Sequence, residues 1–423
     1  MFTAEVFQNP YLPQGATQVN AIVTIATSSN DDATVAAPSN SQRLFGIICD
    51  TSGSMGGAKM IAAKDAIVKI INLLPTDAAF FVVTGSSRSK LLVPLVNAVP
   101  ENKLRAVAQV KEIAAGGGTL MSTWLHTALG EFNKMPQAIC QALLLTDGQN
   151  DPNDEQDLVR VLDASEGKFQ CDCRGVGTDW RVAELQKIAT RLLGTTDIIS
   201  SPERIADDFQ AILTKAMGKT VSDVSLRLWT PMGAKVLFCK QVSPEIVDVT
   251  SRAKVVSERI VEYPTGAWGS NESRDYHFCI QINAGNVGDE MLAGRASLIT
   301  QTNGVETKIT EAKILATWTE DEAKTAKIDR RVAHYTGQAE LAQSIQEGLE
   351  ARAQGNIEIA TVKLGKAVKL AYDSGNEATA KLLRSVVDVE DAAAGTVRIK
   401  RTVAKEDEMM LETRSTKTAR IQK

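Results

Sequence analysis

Between Arg43 and about Gly218 the chain alternates short, wholly apolar runs with longer stretches whose apolar residues recur every three to four positions. The apolar runs lie at 44–50, 79–84, 90–95, 142–147, 169–176 and 195–199 and are predicted as strands. In the first helical stretch Met60, Ala63, Ile67, Ile70 and Leu74 follow the helical period, and Pro75 ends it. Further helices are predicted over about 101–114, 121–134, 154–165, 181–193 and 203–217. Strands that are apolar on both faces and separated by helices call for a mostly parallel sheet covered on both sides. In such sheets ligands bind beyond the carboxyl ends of the strands, where the strand order reverses.

On either side of this segment the period is two. Residues 19–25 alternate as a strand, and 27–42, with Asn30-Asp31-Asp32 and Pro38-Ser39-Asn40, have loop chemistry. Val224, Leu226 and Leu228 alternate with polar residues, as do Tyr276, Phe278, Ile280 and Ile282. Other strands are predicted at 234–239, 245–249, 292–299 and 305–315, a spacing that suggests an antiparallel sandwich. A lone N-terminal strand buries nothing, so residues 1–42 are expected to complete the sandwich of 219–318, with 43–218 inserted between them. Residues 319–387 are helical in pattern, broken at Gln354-Gly355-Asn356 and Ser374-Gly375-Asn376, and are expected to pack as a bundle on the rest. Residues 388–423 begin acidic and turn basic, with eight Lys or Arg against four acids from Arg398 onward. They are expected to be a solvated basic tail carrying Thr413, Ser415, Thr416 and Thr418.

Composition narrows the function classes. A length of 423 residues suits two or three domains, and 23% charged residues with a net charge of −4 give no global attraction to nucleic acid or an anionic membrane. The N-terminus lacks a basic-then-apolar signal, and no apolar run nears the roughly 18–20 residues that span a bilayer. The six cysteines are scattered through apolar contexts, and Cys171 and Cys173 share a strand face at a spacing unusual for zinc. Structural thiols and a cytoplasmic location are expected.

The candidate chemistry lies at predicted strand ends. Asp50-Thr51-Ser52-Gly53-Ser54 leaves the first apolar run, Gly116-Gly117-Gly118-Thr119 joins two helices, and Thr146-Asp147-Gly148 ends another strand. Asp50, Ser52, Ser54, Thr119 and Asp147 together offer two carboxylates and three hydroxyls, hard oxygens suited to Mg²⁺ or Mn²⁺. The hydroxyls can reach the ion directly, while the carboxylates hold waters or orient the hydroxyls. The glycine loop lacks the Gly-Lys-Ser/Thr ending of a phosphate cradle. His126, His277 and His334 fall in no catalytic motif, and no catalytic residue is assigned.

This set of Asp-x-Ser-x-Ser, a threonine in a glycine-rich loop, and Thr-Asp-Gly resembles the metal ion-dependent adhesion site of von Willebrand factor type A domains. Gly175-Val176-Gly177-Thr178-Asp179 is a strand end common in that family. The resemblance implies an α/β, Rossmann-like A domain inserted in a β-sandwich and followed by an α-helical region, similar in architecture to inter-alpha-trypsin inhibitor heavy chains and Sec23-type coat proteins. It further implies a bacterial intracellular multi-domain protein without enzymatic activity. Its metal would be Mg²⁺, with Mn²⁺ or Ca²⁺ as alternatives, receiving an Asp or Glu carboxylate from a protein partner. The expected role is a scaffold or adaptor in a cytoplasmic assembly, such as a kinase, phosphatase and FHA-reader system binding phosphothreonine in the tail. The alternatives are a client-presenting subunit of a MoxR-like AAA+ ATPase and a metal-dependent hydrolase.

Overall fold

The structure, a computed structural model, describes residues 2–28, 42–302, 305–418 and 420. The expected loop at 27–42 lies almost wholly outside the described residues. Two compact units emerge. One takes 42–222 with Gly266–Gly269, and the other takes the N-terminal strands, Asp223–Thr265 and the chain from Ser270.

In the first unit six strands form one sheet in the order Ser89–Asn97, Ala79–Gly85, Arg43–Asp50, Ile139–Thr146, Gln170–Val176 and Thr196–Ile199. All pairings are parallel except that between Ala79–Gly85 and Ser89–Asn97, which are joined as a hairpin. The two central strands are buried along nearly their whole length, which explains their unbroken apolar sequence. On one face Phe45, Ile47, Phe80, Val82, Leu143 and Leu145 pack with residues of helices Ala58–Leu73, Pro100–Lys111 and Ile205–Met217. On the other, Gly46 leaves room for Phe81 and Phe132, whose rings meet edge to face at 4.8 Å. The strand order reverses between Arg43–Asp50 and Ile139–Thr146. Their carboxyl ends deliver Asp50 and Thr146-Asp147 to one place.

The second unit holds two larger sheets, antiparallel except where Tyr11–Leu12 pairs parallel with Val305–Trp318. Gln18–Thr27 lies between Phe2–Phe7 and Ser273–Gln281, with Ile22 opposite His277 and Ala21 opposite Phe278. The N-terminal strand does complete a sheet made by residues some 250 positions later. The other sheet centres on Lys219–Trp229, Glu290–Thr302 and Val305–Trp318. Tyr263 of this sheet meets Phe278 of the first, with ring centroids 6.2 Å apart. The edge strand Lys254–Ser257 is exposed throughout, and the edge strand Phe2–Phe7 is short, with Phe2, Ala4 and Val6 half-buried and Thr3 and Glu5 exposed.

Helices Arg330–Ala353, Ile357–Asp373 and Glu377–Val386 confirm the helical region. Both predicted breaks share one device. Gly355 and Gly375 take positive φ, and the N–H of Asn356 and of Asn376 returns to Ala351 O and Ala371 O. Each asparagine side chain then caps the next helix, accepting from Ile359 N and Thr379 N.

The solvated tail is not what the structure shows. Val387–Asp391 and Thr396–Ile399 form a hairpin, and Lys405–Arg414 forms a helix. Leu411 is buried among Leu341, Ile345, Leu364 and Leu383. Thr413 and Ser415 are buried, and Ser415 Oγ accepts from Gln346 Nε2 at 3.0 Å. Thr418 Oγ1 donates to Val242 O, and Arg420 pairs with buried Asp275 at 3.2 Å. Basic composition concealed an apolar face of widely spaced residues. Thr416 and Thr418 are half-buried.

Candidate metal site

Asp50 ends its strand fully buried. Its Oδ1 accepts from Ser52 N at 2.7 Å and its Oδ2 from Thr146 Oγ1, so the two central strands are stitched at their tips. Burial pushes the Asp50 carboxyl above its ordinary value; hydrogen bonds from Thr146 and Ser52 oppose this, and the nearby Asp147 charge adds to it. The turn that follows is held by neighbouring loops. Thr51 N donates to Gly85 O, Gly53 N to Gly117 O, and Gly116 N to Thr51 O.

The glycine-rich loop is fixed from its other side. Gly118 N donates to Ser87 Oγ and Leu120 N to Ser86 O. Trp124, in helix Met121–Phe132, donates its indole N–H to Ser86 O and lies over Gly85, where a Cβ would come within 2.3 Å of the ring. Asn150 Oδ1 accepts from Met121 N, and Asp151 N donates to Thr119 O, tying the loop to the segment after Asp147. Thr119 therefore has no freedom to drift.

The hydroxyls and carboxylates converge. Ser52 Oγ and Ser54 Oγ are 3.0 Å apart, and Ser54 Oγ donates to Asp147 Oδ1 at 2.7 Å. The point where a Gly148 Cβ would stand is 3.1 Å from Thr119 Oγ1 and 3.7 Å from both Asp50 Oδ2 and Ser54 Oγ. Three of the five sequence-predicted residues, Asp50, Ser54 and Thr119, thus meet at one glycine, and Ser52 and Asp147 join them through Ser54. Metal–oxygen bonds of about 2.0–2.1 Å place adjacent octahedral ligands of Mg²⁺ about 3 Å apart, the spacing of the two serine oxygens. The donor set fits a hard divalent ion. Among the described residues no group of three or more His, Cys, Asp or Glu is placed to hold a metal.

Sequence reasoning missed one member. Lys59 Nζ lies 2.5 Å from Asp147 Oδ2, and Asp147 is fully buried. The one local signal was a cation in the first turn of a helix, where the helix dipole disfavours it.

The geometry matches known proteins. A family model described as the von Willebrand factor type A domain matches residues 46–198, and one described as its C-terminal domain matches 369–415. The structure of von Willebrand factor type A from Catenulispora acidiphila is 43% identical, with a TM-score of 0.94 over 99% of this chain and 97% of that one. This chain belongs to the von Willebrand factor type A family. Other A-domain relatives are more distant. An uncharacterized protein of Synechocystis sp. is 25% identical over 51% of this chain and 52% of its own length. Human inter-alpha-trypsin inhibitor heavy chain H4 is 31% identical over 34% of this chain and 16% of its own. The chain thus spans about half the length of the first of these curated relatives and a smaller part of the second. A domains are commonly metal-dependent protein-interaction modules, and the C-terminal match overlaps the folded segment taken for a tail. Among the described residues no helix is long and apolar enough to cross a membrane, and all six cysteines are buried.

Proposed function

We propose that the strand-end site binds Mg²⁺ and, once loaded, captures a carboxylate from a protein partner. The convergence of Thr119, Asp50 and Ser54 oxygens at Gly148, from three loops distant in sequence, supports this reading most. Ser52, Ser54 and Thr119 present neutral oxygens. Asp50 and Asp147 orient hydroxyls by accepting hydrogen bonds from them, and they carry the negative charge that attracts a cation. When bound, Mg²⁺ (or Mn²⁺ or Ca²⁺) supplies an electrophilic position to which an anionic oxygen adds. Gly53, Ser54 and Gly116–Gly118 are exposed, so a partner can reach the site.

In this reading the chain is a non-enzymatic adaptor in a cytoplasmic assembly. A kinase, phosphatase and phosphothreonine-reader system is the first setting to test, and a MoxR-like AAA+ ATPase the second. A ligand at a hundred times its Kd stabilises the folded state by about 2.7 kcal/mol. Millimolar Mg²⁺ is therefore expected to raise Tm by several degrees in scanning fluorimetry, and Asp50→Ala or Asp147→Ala to remove the rise. Absence of a rise in the wild type would sink the metal assignment. Affinity capture with wild type and Asp147→Ala, with and without EDTA, would identify the metal-dependent partner. Mg²⁺-dependent phosphoester turnover lost in Asp147→Ala would replace the adaptor reading with a hydrolase.

A further inference from the structure

The site contains a built-in cation. Lys59 Nζ is 2.5 Å from Asp147 Oδ2, and the lysine side chain is 26% exposed. It is the second residue of helix Ala58–Leu73, whose first turn carries no acidic residue. A positive charge there is disfavoured by the helix dipole, so helix physics does not account for the lysine. Asp147 does, because an isolated buried carboxylate is far more costly than a paired one. The lysine tip also lies along Gly177, with Nζ 3.8 Å from where a Cβ would stand. Asp147 thus divides its oxygens between the hydroxyl of Ser54, on Oδ1, and the ammonium of Lys59, on Oδ2.

The charge count gives this arrangement a consequence. Two aspartates and one lysine leave a single net negative charge. A divalent cation turns that into a single net positive charge, which one carboxylate neutralises. Without the lysine, the two aspartates would already balance the cation, and an incoming carboxylate would make the centre negative. We infer that Lys59 sets the charge balance of the site, weakening metal binding in exchange for tighter capture of an anionic ligand. The inference rests on the metal reading above and adds to it a residue that governs ligand affinity.

The test uses the full chain as wild type, Lys59→Met, Lys59→Gln, Lys59→Arg and Asp147→Ala, each checked for folding by circular dichroism. Mn²⁺ affinity is read by counting free Mn²⁺ in electron paramagnetic resonance titrations. Acetate is then titrated onto the Mn²⁺-saturated protein and followed by water-proton relaxation. Removing the unit positive charge 2.5 Å from Asp147 Oδ2 is expected to tighten Mn²⁺ binding about tenfold in the neutral variants. The same variants should bind acetate more weakly by a similar factor, while Lys59→Arg stays near wild type in both. The neutral glutamine variant stands in if methionine does not fold. Unchanged or weaker Mn²⁺ binding in the neutral variants, or unchanged acetate binding, would show that Lys59 only props up Asp147 and would overturn the inference. If the wild type and neutral variants bind Mn²⁺ no better than Asp147→Ala, the metal reading itself fails and takes this one with it.

Discussion

At the scale of single residues, the site depends as much on an absent side chain as on those present. Gly148 has an ordinary φ, so alanine there brings no backbone strain. Its Cβ would nevertheless stand 3.1 Å from Thr119 Oγ1, in the space shared with Asp50 and Ser54. Gly148→Ala is therefore expected to leave Tm without metal within a degree or two. The Mg²⁺-induced rise should shrink or vanish in the same fluorimetry. An unchanged rise would show that the ion does not use this face. The five oxygen-bearing residues were legible because their types and order are local and distinctive. Lys59 was not, since a lysine on an amphipathic helix carries no mark of the partner it will meet 88 positions later.

Elements were legible where burial imposes a period. The buried central strands and the helices covering them announced themselves, and Gly-Asn marked two helix junctions by a mechanism that needs only neighbouring residues. Helix Lys405–Arg414 failed this test. Its three buried residues, Met409, Leu411 and Thr413, alternate with half-buried ones in a strongly charged stretch. Its packing is the better guide. Leu411 is fully buried in the helical core, so Leu411→Ala is expected to cost about 2–5 kcal/mol. The loss should appear as a lower urea midpoint and faster tryptic cleavage in the C-terminal segment. A solvated tail would show neither change.

For the whole molecule, the sandwich joins chain ends that the inserted A domain separates, so its stability reports on long-range pairing. His277 sits in Ser273–Gln281 opposite Ile22, with Nε2 3.1 Å from Asn20 Oδ1. Burial, helped by the charge of Lys240, lowers its pKa to about 4. The unfolded chain takes up this proton near the ordinary value of about 6.5, while the folded chain stays neutral. Between these values the unfolded state binds more protons, so stability is full above about pH 6.5 and falls as the pH drops toward 4. A shift of this size is worth about 3 kcal/mol below both values. Urea midpoints at pH 7 and pH 5 should therefore differ more in wild type than in His277→Gln. Equal differences would show that His277 is not the group responsible.

The sequence alone determined the kinds of structure and the kinds of chemistry. Period and composition set which stretches become strand or helix, and the Asp-x-Ser-x-Ser, Gly-rich and Thr-Asp-Gly segments set a hydroxyl-rich oxygen site. These are local properties, since each depends on which face of a short element is buried or which residues a turn accepts. Only the tertiary structure decided adjacency. It placed Arg43–Asp50 beside Ile139–Thr146, brought Lys59 onto Asp147, set Gln18–Thr27 against Ser273–Gln281, and folded the basic C-terminal segment onto the helical core. Pairing between distant segments is chosen by register and packing across the whole fold, which no single stretch of chain records.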